Sequence, residues 1–276
     1  KASTNIPSKA MFLDAQVHTT LAHTIAAIER VFALPGYQQY TLAQASPMAQ
    51  HHFGPAGVFM GYDFHISADG PRLIEINTNA GGALLNAALA RAHQACCGGL
   101  QSVLPAATDL AGLDAAWMEM FHTEWRSQRG TQTLRTVLIV DDAPHTQYLA
   151  PEFELARQLL QNHGLQAVVA DACELRFENG ALWHPALPPG TPVDMVYNRL
   201  TDFDLSEPTH TALRDAYAAG ATVLTPNPRT HALAAHKRNL ITLGDDAQLA
   251  AWGVPEDDRA VLRSTIPHTT SVRPDT

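Results

Sequence analysis

Gly61-Tyr-Asp-Phe-His-Ile-Ser-Ala-Asp-Gly-Pro-Arg-Leu-Ile-Glu-Ile-Asn-Thr-Asn-Ala-Gly-Gly82 reads as two short strands around an Asp69-Gly70 turn, followed by a loop of small residues. Side chains alternate faces along a strand. Asp63 and His65 therefore share one face of the first strand, opposite Tyr62, Phe64 and Ile66. Glu75 and Asn77 share one face of the second, opposite Ile74 and Ile76. A short turn brings Asp63 beside Glu75, so two carboxylates and an amide oxygen converge on one surface. Hard cations such as magnesium take oxygen sets of this kind, commonly together with substrate phosphates. The alternative is a plain two-faced hairpin whose Glu/Asn face is solvated. The loop Thr78-Asn-Ala-Gly-Gly82 suits close backbone approach to an anion.

On these residues the segment resembles the metal-binding end of the ATP-grasp ligases. That family carries an Asp-Phe strand, about a dozen residues, then Glu-(Ile/Val)-Asn-Thr and a Pro-Gly loop. Here 75 minus 63 is 12, and Glu75-Ile-Asn-Thr78 stands where the family has its second strand. The resemblance implies that Asp63, Glu75 and Asn77 hold the magnesium ions that bridge the phosphates of ATP. Ala80-Gly81 replaces the family's Pro-Gly.

The rest of the chain sets the frame. Its 276 residues are 46% hydrophobic and 16% charged, with a formal net charge of -9. That is a globular composition with ample core material. No basic stripe exists to neutralise nucleic-acid phosphates, and no apolar run approaches the ~18 residues of a spanning helix. Neither nucleic acid nor membrane is an expected partner. Cys96, Cys97 and Cys173 read as reduced thiols of a cytoplasmic protein, the first two as small apolar residues of an Ala-rich helix. The chain begins at Lys1 and ends at Pro274-Asp-Thr276, which reads as a fragment.

Val17, Leu21, Ile25, Ile28 and Phe32 form one apolar face of a helix over 11–34, stopped by Leu34-Pro35-Gly36 and followed by a loop. Helices are expected over 83–97 and about 112–127, with a polar boundary at 127–133. Beyond it strands and helices alternate: strands at 136–140, 167–170, 193–197 and 222–225, helices from Pro151 to Leu160 and near 207–219. A hairpin turns at Glu178-Asn-Gly180. Alternation of this kind predicts a parallel, doubly wound sheet. The expected fold class is α/β, an α+β ATP-grasp subdomain with a Rossmann-like domain of the kind that precedes the ATP site. The expected domains are 1–130 for the metal-binding subdomain, 131–228 for the Rossmann-like domain and 229–276 for the start of the nucleotide-binding lobe.

Gly220-Ala-Thr-Val-Leu-Thr-Pro-Asn-Pro-Arg-Thr-His-Ala-Leu-Ala-Ala-His-Lys-Arg-Asn239 is similar to a second landmark of that family, a strand, an Asn-Pro turn, a helix and an acid-Lys pair. The likeness implies that Lys237 contacts the nucleotide phosphates, although His236 replaces the acid. Asn198-Arg199 follows the strand ending at Tyr197. Related ligases place an Arg there, suited to carboxylate or phosphate, and Arg199 would act on the acceptor side with Gly81 and Gly82. Its alternative is an ion pair with Asp202 or Asp204. The hairpin precedes the Rossmann-like segment, the order of the circularly permuted ATP-grasp proteins such as relatives of glutathionylspermidine synthetase. The resemblance covers 57–97 and 134–243. Residues 244–276 hold no further lysine and no Gly-rich lid, which fits truncation.

The implied activity is an ATP- and Mg2+-dependent carboxylate-amine ligase that joins a small-molecule acid and an amine through an acylphosphate. A non-catalytic ATP-grasp-like module is the alternative. A histidine-based metal hydrolase is a third, prompted by the 14 histidines and the His51-His52 pair.

Overall fold

A computed structural model describes residues 13–96 and 107–272. Its elements run α1 (Ala15–Phe32), α2 (Pro35–Leu42), β1 (Gly61–Ser67), β2 (Gly70–Asn77), α3 (Ala83–Cys96), α4 (Ala107–Arg129), β3 (Thr136–Asp141), α5 (Ala150–Asn162) and β4 (Gln166–Asp171). There follow β5 (Arg176–Glu178), β6 (Ala181–Trp183), β7 (Met195–Asn198), α6 (Thr211–Ala218), β8 (Val223–Thr225), α7 (Pro228–Ala234), α8 (Asn239–Leu243), α9 (Asp246–Ala251) and α10 (Glu256–Thr265). The chain forms two units, one from the segments up to Ser46, Gly61–Asn77 and His231 onward, the other from Pro47–Met60 and Thr78–Thr230.

The first unit packs the β1–β2 hairpin with α1, α2 and the C-terminal helices. The side chain of Asp14 caps α1 by accepting from the amide of Gln16, satisfying one of the free donors of the first turn. The α1 face predicted from sequence is turned inward around Thr24, Ala27, Ile28 and Val31, with Val17, Leu21, Ile25 and Phe32 partly buried. Asp258 of α10 receives a two-pronged hydrogen bond from Arg30 at 2.7 and 2.6 Å. Residues after Leu34 are helical, where a loop was expected. Pro35 occupies the first turn of α2, where its missing N–H is harmless, so it ends one helix and starts another. Gly36 is required by close approach, since a Cβ there would lie 2.6 Å from the Trp252 ring. Tyr37 is fully buried, and its hydroxyl donates to the Leu233 carbonyl at 2.7 Å.

The hairpin departs from simple alternation. Asp63 pairs with Glu75, but Phe64 pairs with Leu73, leaving Ile74 in a bulge. Two residues then oppose one and the strand rephases. Leu73 and Ile76 are buried while Ile74 is 49% exposed. The expected Ile74–Ile76 apolar face is therefore corrected to Leu73 and Ile76.

The second unit holds a four-stranded parallel sheet in the order β4-β3-β7-β8. Thr136 through Val140 are buried without a break, as a strand covered on both faces demands. Val137 and Ile139 join Phe121, Phe153, Leu160 and Tyr197 on the face covered by α4 and α5. Leu138 and Val140 join Leu200, Leu213, Tyr217 and Leu182 on the face covered by α6 and the β5–β6 hairpin. The doubly wound reading holds. Asn179 and Gly180 both have positive φ, 53° and 74°, the conformation a tight two-residue hairpin turn needs. α4 runs to Arg129, through part of the segment read as a polar boundary. Cys96 closes α3, while its side chain and Cys97 lie outside the described residues.

Candidate functional site

The hairpin of the first unit carries the acidic set. Gly70 adopts φ +97° at the turn, a conformation that glycine reaches without steric penalty. The register that follows sets Asp63 directly opposite Glu75 and Gly61 opposite Asn77. Asp63, Glu75 and Asn77 all lie outside the apolar face. The Asn77 side-chain nitrogen is 3.4 Å from Asp63 Oδ2 and 3.4 Å from Glu75 Oε1. The orientation of such an amide follows its hydrogen-bond network, and rotating it would present oxygen instead. His65 is exposed and pairs across the hairpin with Arg72.

Lys237 follows α7, and its Nζ is 3.0 Å from Glu75 Oε2. This ion pair, with a further hydrogen bond from Asn77, holds the Glu75 carboxyl below the usual carboxylate range. His236 accepts from the Arg238 amide at 3.2 Å on Nδ1.

The second unit carries Arg199, Gly81 and Gly82. Arg199 leaves the carboxyl end of β7 and is 6% exposed. Its Nη1 donates to the Ala80 carbonyl at 3.1 Å and to the Tyr197 hydroxyl at 3.2 Å. Its guanidinium also lies 5.3 Å from the Tyr197 ring centroid and 5.9 Å from that of Phe153. Burial pushes the Tyr197 hydroxyl up to about 12. The ion pair of Arg199 with Asp202 considered from sequence does not form, since Asp202 is turned to His210. Gly81 is tightly approached: a Cβ there would lie 2.4 Å from Leu149 Cδ1 and 3.3 Å from Arg199 Nη2.

Gly82, at φ +98°, leads into α3. Its amide and that of Leu84 donate to the carboxylate of Glu152, the Leu84 bond being 3.1 Å. Glu152 is buried in the first turn of α5. The loop from Ala80 to Leu84 is thus held at one end by an arginine on its carbonyl and at the other by a carboxylate on its amides. Glu152 was not singled out from sequence, although its place after Pro151 in a first helical turn marks a carboxylate near free backbone donors.

Four further residues gather at or beyond the carboxyl ends of β3 and β7, the side of the sheet where open α/β sheets bind ligands. Asp141 ends β3, and burial pushes its carboxyl up to about 6 despite the Asp142 amide and the charge of Arg199. Asp142 and Asp202 flank the ring of His210. The Asp141-Asp142 pair was visible at a strand end, but nothing local marks its partner His210. His51 of the histidine pair stacks on Phe53 at 5.7 Å. Among the described residues no group of three or more His, Cys, Asp or Glu is placed to hold a metal ion, and no helix is long and apolar enough to cross a membrane.

No family model matches the sequence, and no curated protein matches it. Among solved structures it is similar to a glutathione synthetase like-effector, GSS30, from Globodera pallida in its apoform, with a TM-score of 0.60 and 16% identity. The likeness covers 92% of this chain, which spans 61% of the length of that protein. The fold is glutathione synthetase-like. At this identity the likeness carries the fold and nothing finer.

Proposed function

We propose that the chain is part of an ATP-dependent carboxylate-amine ligase of the ATP-grasp type. The observation that carries this reading is the direct pairing of Asp63 with Glu75, with Asn77 in reach of both. Two carboxylates and an amide fit a hard, oxygen-seeking cation, and one more cation, Lys237, already stands on Glu75. Asp63, Glu75 and Asn77 would hold magnesium, which when bound neutralises charge on the phosphoryl oxygens in transfer. Lys237 would contact the phosphates of ATP. The acid substrate would take the γ-phosphoryl group as an acylphosphate, and an amine would displace phosphate from it. Arg199 and the Gly81-Gly82 loop would serve the acceptor side, Arg199 by pairing with a carboxylate.

Calorimetric titration of the full chain with ATP and Mg2+ tests the reading without requiring turnover. Asp63→Asn and Glu75→Gln should each weaken binding by about tenfold or more, the equivalent of one lost charged contact. Binding unchanged in both variants would overturn the assignment. Phosphate release upon adding acid and amine pairs then tests turnover.

A second reading, a non-catalytic nucleotide- or partner-binding module of the same fold, has its own support. The Gly82 and Leu84 amides that an anion would use are already committed to Glu152, and the similar solved structure is described as an effector. ATP binding without phosphate release across the acid and amine series would favour it.

A further inference from the structure

His210 is fully buried, on the turn Pro208–His210 that precedes α6. Its Nδ1 lies 2.7 Å from Asp202 Oδ2 and its Nε2 lies 2.9 Å from Asp142 Oδ1. Asp142 follows β3, and Asp202 follows β7 on the loop that begins with Arg199. A neutral imidazole has one N–H and one lone pair, whereas an ionised carboxylate only accepts. With carboxylates on both ring nitrogens, both contacts are hydrogen bonds at once only when both nitrogens carry protons. A ring lone pair facing a carboxylate would be repulsive. We propose that Asp142, His210 and Asp202 form a proton-held clasp, an imidazolium bridging the exit loops of β3 and β7, which holds the 142–147 turn to the His210 turn and frees it when the proton is lost.

The clasp has a firm arm and a loose one. Asp202 also accepts from the Glu207 amide at 2.8 Å and the Ser206 hydroxyl at 3.0 Å, and its side chain is only 14% exposed. The Asp142 side chain is 53% exposed. Loss of one proton leaves Nδ1–H on Asp202 and opens the Asp142 arm. Asp171 at the end of β4 adds negative charge toward the ring while accepting from the Ala143 and Cys173 amides. On the neighbouring turn Glu174 is engaged by His184 at 3.2 Å. Burial pulls the His210 imidazole down, but the hydrogen bonds to Asp142 and Asp202 outweigh it and hold it above its ordinary value. Because the folded value is the higher, the stabilisation is complete below the unfolded value near 6.5 and is lost as pH rises through the folded one. None of this depends on the chain being a ligase.

The test uses the full chain labelled with 15N-histidine, followed by NMR from pH 5 to 10, with hydrogen exchange of peptides spanning 142–147 and 199–206, corrected for intrinsic rate. His210 should carry both ring protons at pH 7 and titrate above about 6.5. The local opening constant of 142–147 should rise up to about tenfold per pH unit between that value and the His210 titration, then level off, while that of 199–206 stays nearly constant. Asp142→Asn should lower the titration, and His210→Gln should abolish the pH dependence of exchange. Should His210→Gln fail to fold, the wild-type titration and exchange series decide the matter alone. A ring that is neutral at pH 7, or exchange indifferent to pH through the titration, would overturn the clasp.

Discussion

Lys237 Nζ stands 3.0 Å from Glu75 Oε2, so the lysine read as a phosphate ligand and the glutamate read as a metal ligand are each other's counter-ion in this structure. The Lys237 side chain is 73% exposed, and exposed pairs contribute about 0–1 kcal/mol. Lys237→Met should therefore change stability by no more than about 1 kcal/mol at pH 7 in urea unfolding. The Glu75 carboxyl is held low by Lys237 first and Asn77 second. A depressed acid contributes stability above its unfolded value and loses it as pH falls through the folded one. Wild type and variant should accordingly converge as pH falls below the folded Glu75 value, and the Glu75 titration in the variant should move up. A loss well above 2 kcal/mol would mean that the lysine does more than pair at the surface.

Glu152 makes a different kind of contact. It is buried, and it accepts from the Gly82 and Leu84 amides. Removing a buried acceptor strands its donors, at about 1–3 kcal/mol for each group. Glu152→Ala should destabilise the fold by about 2–4 kcal/mol, and Glu152→Gln, which keeps one oxygen, by about 1–2 kcal/mol. Gly82→Ala should lose about 1–2 kcal/mol through its left-handed backbone. Chemical denaturation measures all three. A Glu152→Ala loss below about 0.5 kcal/mol would show that water replaces the carboxylate.

The hairpin bulge makes a prediction that straight alternation reverses. Leu73→Ala should cost about 2–5 kcal/mol as a cavity in the core. Ile74→Thr, at the exposed bulge position, should stay within about 0.5 kcal/mol. If Ile74→Thr proves the costlier of the two, the strand pairs without a bulge.

These residues also show what a sequence can carry. The Asp63–Glu75 pairing was legible because turn chemistry and period-two alternation are local. The bulge was not, since Leu73 and Ile74 are both apolar and only packing chooses between them. The parallel sheet was legible from its unbroken apolar strands, such as Thr136 to Val140. α2 was hidden because Pro35 signals a stop and a start alike. Asp142, Asp202 and His210 meet only through topology, and Glu152 reaches Gly82 across a long stretch of chain. Long-range polar contacts of this sort have no periodic signature.

Asp141, at the carboxyl end of β3, offers a pH-dependent test. Burial raises its carboxyl to about 6, so the folded state binds a proton more tightly than the unfolded chain, whose value is about 4. The sign is opposite to that of Glu75: stability is unaffected below the unfolded value and falls as pH rises through 6, because ionisation of a half-buried acid is unfavourable. Two pH units would amount to about 3 kcal/mol, which solvent screening at this half-exposed position reduces to about 1–2 kcal/mol. Asp141→Asn should therefore stabilise the protein by about that much at pH 7 and by almost nothing at pH 4. Thermal melts of both proteins at the two pH values measure the difference. An Asp141→Asn protein equally or less stable at pH 7 would place this carboxylate in a favourable hydrogen-bonded role instead.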